Sequence, residues 1–114
     1  MEEIVKTINS KDMKLLVITA VKEFKKDILK LLKEAGVRNF SYREVTGFQD
    51  NSEDKVELNW FASDMNENES ILFYAFVGEE NVETFFNLVE IYNSLQVNKS
   101  RVHIAVLNIE KSNN

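Results

Sequence analysis

The sequence has no cysteine and no proline, only three glycines and one histidine, in 114 residues. Without thiols, disulfides, thiolate zinc sites, iron–sulfur clusters and cysteine nucleophiles are all excluded. The glycines stand apart at Gly36, Gly47 and Gly78. They build neither a Walker loop nor a dinucleotide fingerprint, and no serine sits in a nucleophile elbow, so an enzyme is not expected. No apolar run approaches the ~18 residues that span a bilayer. Basic residues are in the minority: the net charge of -5 lacks the clustered Lys and Arg that release counterions from nucleic acid, and no nucleic-acid partner is expected. Met1 to Asp12 is charged throughout and has no apolar core or cleavage site of a secretory signal, which points to a cytoplasmic protein.

What is present is a hydrophobic rhythm stated twice. Lys14 to Val21 reads as a strand whose consecutive Leu15, Leu16, Val17 and Ile18 suit the middle of a sheet. In the next segment, Glu23 to Ala35, Phe24, Ile28, Leu31, Leu32 and Ala35 recur at helical spacing, and Gly36 falls where a left-handed cap belongs. Phe40 to Phe48 alternates as a partly exposed strand, and Val56 to Ala62 resumes period two inside a long polar excursion from Phe48 to Ser70. Ile71 to Val77 is apolar on both faces, Glu80 to Leu95 is a second helix, and Val102 to Ile109 closes the chain as a strand. The order β-α-β-β-α-β predicts an α+β, ferredoxin-like sandwich: an antiparallel sheet with two helices on one face. The expected organisation is a tail over 1–12, one domain over 13–110 and a disordered terminus over 111–114, with no room for a second domain.

The residues that could carry chemistry are few. His103 alternates with Val102 and Ile104, so it faces away from both; it serves either a structural or interface role or contacts a ligand or metal, and no partner is singled out. The carboxylates Asp50, Glu53, Asp54, Glu57, Asp64, Glu67 and Glu69 suit a hard cation by ligand type but not by EF-hand spacing, and read first as a solvated flexible hairpin. Lys22, Lys25, Lys26, Lys30 and Lys33 read as the solvated side of the first helix. Phe48, Trp60 and Phe61 flank the polar excursion, where large aromatics serve a core or a subunit contact.

Lys33-Glu34-Ala35-Gly36-Val37 closing the first helix, and Arg43-Glu44-Val45-Thr46-Gly47-Phe48 leading into a long loop, resemble the nitrogen-regulatory PII family and its PII-like relatives. The likeness runs from about Met13 to Ile109. It implies a homotrimer whose sheets pack around a threefold axis, ligand clefts between subunits, and a mobile loop that touches a partner protein. The chain departs from the family in two places. Asn93 to Arg101 has Lys99 and Arg101 but no glycine where the family's nucleotide-binding turn is glycine-rich, and no tyrosine lies between Gln49 and Asn59 to match the uridylylated loop residue. The closing run Val102-His103-Ile104-Ala105-Val106-Leu107 is more similar to the divergent PII-like proteins, including those associated with heavy-metal efflux pumps, and to the CutA proteins.

The resemblance therefore implies a non-enzymatic regulatory homotrimer that binds a small anionic ligand or divalent cation at Gly47, Phe48, Gln49, Lys99 and Arg101. A membrane transporter or other target protein would meet the loop over 48–70. No cofactor, catalytic residue or metal ligand is assigned. Two alternatives share the element order: a small-molecule enzyme of dimeric α+β barrel type, with a pocket at His103, Tyr74 or Asp64, and a CutA-like ion-binding trimer.

Overall fold

The structure, a computed structural model, describes residues 13–48 and 67–113. Along them run β1 (Met13–Val21), α1 (Lys25–Glu34), β2 (Ser41–Phe48), β3 (Glu67–Gly78), α2 (Glu79–Ser94) and β4 (His103–Asn108). The strands form one sheet in the order β2-β3-β1-β4, and every neighbouring pair is antiparallel. This is the expected ferredoxin-like α+β arrangement.

Strand alternation assigns the two faces. Leu16, Ile18 and Ala20 of β1 and Ile71, Phe73, Ala75 and Val77 of β3 point to the helical layer and are buried there against Ile28, Leu32, Val82, Phe85 and Val89. The intervening residues face the other way. There Leu15 lies directly opposite both Phe76 and Leu107, and Val17 opposite both Tyr74 and Ala105.

The helices are locked to each other at both ends. No side chain caps the start of α1, and a 3-10 turn over Lys22–Phe24 takes up the first amides instead, with the Lys25 N–H donating to the Lys22 carbonyl. The reading of a helix from Glu23 is corrected to that extent. At its other end the Val37 N–H reaches the Leu32 carbonyl at 2.9 Å and the Gly36 N–H the Lys33 carbonyl at 3.0 Å, a Schellman closure with Gly36 at φ 81°. The Asn81 side chain of α2 donates to the remaining Ala35 carbonyl at 2.9 Å. At the opposite end of the layer the Tyr92 hydroxyl donates to Asp27 at 2.6 Å, and the Tyr92 ring meets Phe24 edge-on.

The excursion over 48–70 is shorter than its polarity suggests. Phe48 pairs with Glu67, Gly47 with Asn68, Thr46 with Glu69 and Val45 with Ser70, so both ends belong to the β2–β3 ladder. A ladder is held by backbone hydrogen bonds and accepts polar side chains near a sheet edge, which is why composition misplaced the boundary. Val56 to Ala62, with Trp60, Phe61 and Asp64, lies outside the described residues, as does the tail over 1–12. Lys111 to Asn113 follow β4 as exposed chain without helix or strand.

Gly36 is the most exacting position in this framework, because a Cβ there would stand 2.9 Å from the Asn81 amide nitrogen in addition to straining a positive φ. Gly36→Ala is expected to lower stability by about 1 to 3 kcal/mol in urea unfolding. An unchanged midpoint would show that the α1 closure is not fixed as described.

Candidate functional site

Strand direction decides what the candidate residues can share. β2 ends, β3 begins, β1 ends and β4 begins at one end of the sheet, as the pairs Phe48 with Glu67, Val21 with Ser70 and Thr19 with His103 show. Gly47 and Phe48 therefore lie at the same end as the α2–β4 connection that carries Lys99 and Arg101. They lie on opposite edges, however. β2 and β4 are separated by two strands, roughly 14 Å at the usual interstrand spacing. Within one copy the residues do not converge. Gln49 lies outside the described residues.

The α2–β4 connection is a built element. The Asn93 side chain donates to the Val102 carbonyl at 3.0 Å and accepts from the Val102 N–H at 2.8 Å, so it pairs with that backbone as a neighbouring strand would. Asn98 accepts the Ser100 N–H at 2.9 Å, an Asx turn. The Arg101 guanidinium folds onto the same turn and donates to the carbonyls of Asn98 at 2.6 Å and Ser100 at 2.8 Å. Arg101 thus braces the connection with one nitrogen, whereas Lys99 is exposed. Phe48, at 62% exposure, stands open on the opposite edge.

Three other polar groups had no signal in the sequence, because their partners are remote in the chain. Lys22 reaches Glu69 at 3.3 Å and Glu44 at 3.6 Å, tying the end of β1 to both strands of the hairpin. The hydrogen bond to Glu69, reinforced by the charge of Glu44, raises its pKa above the ordinary lysine value. Lys25 lies 4.8 Å over the Tyr42 ring. On α2, burial and then the Asp27 hydrogen bond push the Tyr92 phenol well above its ordinary range, so it stays a donor. Among the described residues no group of three His, Cys, Asp or Glu is placed to hold a metal ion. No helix among them is long and apolar enough to cross a membrane.

His103 sits at the start of β4 on the face away from the helices, directly opposite Thr19. Desolvation lowers its pKa below the ordinary 6.5. The pocket that the α+β barrel alternative would place at His103 and Tyr74 is spread over this face, since Tyr74 in β3 is opposite Val17 while His103 in β4 is opposite Thr19.

No protein-family model matches the chain, and no curated protein matches it significantly. Solved structures do. A DUF3240 family protein from Shewanella baltica OS155 is 16% identical at a TM-score of 0.62, over 90% of this chain and 96% of that one. CPII, a nitrogen regulatory PII-like protein from Thiomonas intermedia K12 bound to ADP, AMP and bicarbonate, is 17% identical at a TM-score of 0.57, over 88% and 94%. Arabidopsis thaliana PII bound to citrate is 17% identical at 0.61, over 87% and 78%. The chain has the fold of the PII-like signalling proteins.

The depressed His103 pKa has a definite sign. The folded state holds the imidazole neutral, so its contribution is present above the ordinary pKa and is lost as pH falls from about 6.5 through the lowered value. Urea unfolding between pH 7.5 and 5 is expected to show declining stability, with a shallower decline in His103→Gln. Equal slopes would remove His103 from the acid response.

Proposed function

We propose that this chain is a non-enzymatic PII-like regulatory protein of the cytoplasm, acting as a homotrimer that takes a small anion in clefts between subunits. The observation that carries this reading is the sheet face left bare by the helices. Near the Gly78 end it exposes Tyr74 at 44%, Phe76 at 59% and Leu107 at 46%, around the half-buried Leu15, Val17 and Ala105. Three neighbouring strands supply this patch, and such contiguous apolar surface marks an association site. A contact of standard size would remove ~800 Å² per partner from water.

The division of the candidate residues supports a ring. Phe48 with Gly47 on the β2 edge and Lys99 with Arg101 on the β4 edge meet only if one copy's β2 edge faces the next copy's β4 edge. Repeated around a three-fold axis, that contact is heterologous and closes into a cycle. The cleft would then place the Lys99 ammonium and the free part of the Arg101 fork beside Phe48, Gly47 and Gln49, a setting for an anion. The structural neighbours named above hold ADP, AMP, bicarbonate or citrate. A divalent cation is the alternative ligand. The segment joining β2 to β3 is the proposed contact for a membrane transporter or other target protein.

Sedimentation at micromolar concentration is expected to give a trimer, and Phe76→Glu a folded monomer by circular dichroism. A monomeric parent protein would overturn the proposal, and a dimer would favour the two-fold α+β barrel.

The ligand is tested separately by thermal shift with ADP, AMP, bicarbonate, citrate and Mg²⁺. At least one is expected to raise Tm, and Lys99→Ala to abolish the shift from an anion. No shift with any of them would overturn the sensor reading.

A further inference from the structure

We propose that the helical layer carries an electrostatic seam in which Lys26, Lys30 and Lys33 of one copy meet Glu79, Glu83 and Glu90 of the next. This rests on the ring described above and adds what selects and aligns its contact.

The charges are sorted by flank. On α1 the inward direction is set by the fully buried Ile28 and Leu32. Asp27, bonded to Tyr92, marks the flank toward α2, and Lys25, over the Tyr42 ring, marks the flank toward β2. At about 100° per residue, Lys26 and Lys33 project outward on the β2 flank and Lys30 straight outward beside them, and all three are exposed. On α2 the inward residues are Val82, Phe85 and Val89. Asn81 and Tyr92 mark the flank toward α1, and Asn93, bonded to Val102, the flank toward β4. Glu79, Glu83 and Glu90 fall on that β4 flank, also exposed, and the helix contains no lysine or arginine to neutralise them.

The two stripes match in level as well as sign. α1 and α2 run antiparallel, for Asn81 meets the end of α1 while Tyr92 meets its start. Lys33 is therefore at the height of Glu79 and Glu83, and Lys26 at that of Glu90. Lys26 and Lys33 are seven residues apart, as are Glu83 and Glu90, about 10 Å of helix in both cases. When a β2 edge meets a β4 edge, the basic flank of one copy faces the acidic flank of the next at corresponding heights. Pairing two β2 edges or two β4 edges sets like charges together, so the same stripes reject a contact through like edges. Lys22 is not part of the stripe, being committed to Glu69 and Glu44 within its own chain.

The test is sedimentation equilibrium on three proteins: the parent, the Lys26→Glu, Lys30→Glu, Lys33→Glu variant, and that variant combined with Glu79→Lys, Glu83→Lys and Glu90→Lys. The single-stripe reversal is expected to weaken association about tenfold per seam, and the double reversal to restore it. A monomeric parent defeats the ring itself. A parent trimer whose affinity neither reversal changes defeats the seam and leaves the ring standing. Should a variant fail to fold by circular dichroism, the salt dependence of the parent decides: weakening from about 0.05 to 0.5 M NaCl supports the seam, and salt-independent association overturns it. If the lysine reversal instead abolishes binding to phosphatidylserine vesicles and leaves the trimer intact, the basic stripe belongs to a membrane surface and the seam is refuted.

Discussion

The structure depends on one imbalance: a sheet with two apolar faces and a single layer of helices. Phe73, Ile71 and Leu16 are fully buried because α1 and α2 close over them through Ile28, Leu32 and Phe85. At the alternate strand positions Phe76, Tyr74 and Leu107 are large and apolar, and nothing among the described residues covers them. Burial of apolar area yields about 25 cal/mol per Å², so large side chains held at half exposure represent unspent association energy. The helices cannot relieve this, being fixed on the other face.

That fixation also sets where the candidate site can form. Asn81 on the Ala35 carbonyl and Tyr92 on Asp27 hold the helices together at their two ends, and Asn93 then carries the position of α2 into the backbone of Val102. The connection bearing Lys99 thus inherits its place from the helical layer, whereas Phe48 inherits its place from the β2–β3 ladder. Both reach the same end of the sheet by independent routes. A ligand binding across them in a ring would sense both the packing of the helices and the state of the hairpin, which is the physical content of a regulatory coupling.

The regular part of this architecture was legible in the sequence because it rests on periodicity. Ile71, Phe73, Ala75 and Val77 alternate, Phe24, Ile28, Leu31 and Leu32 recur at helical spacing, and Gly36 announces its left-handed cap; each signal is local. The hairpin boundary was not legible, since Thr46 with Glu69 and Gly47 with Asn68 pair through backbone that composition does not report. Nor was the Arg101 fold-back, which depends on the Asx turn bringing two carbonyls under the guanidinium. The candidate site was read as a set of residues, but their opposite-edge placement follows from strand order, which no short window of sequence contains.

Opposite-edge placement and flank-sorted charge bear on the same choice. An apolar face alone is indifferent to symmetry: it can be covered by one copy across a two-fold or by two copies around a three-fold, and the ferredoxin-like fold serves many functions in either arrangement. A two-fold contact through like edges would leave Lys99 far from Phe48 and set the lysine stripe of α1 against its own symmetry mate. The proposed cyclic contact joins unlike edges, would bring Phe48 and Lys99 together and would align α1 with the acidic α2. In that arrangement apolar burial would supply the drive to associate, and the distribution of charge on the outer layer, spread over exposed residues with little effect on the stability of one copy, would supply the geometry.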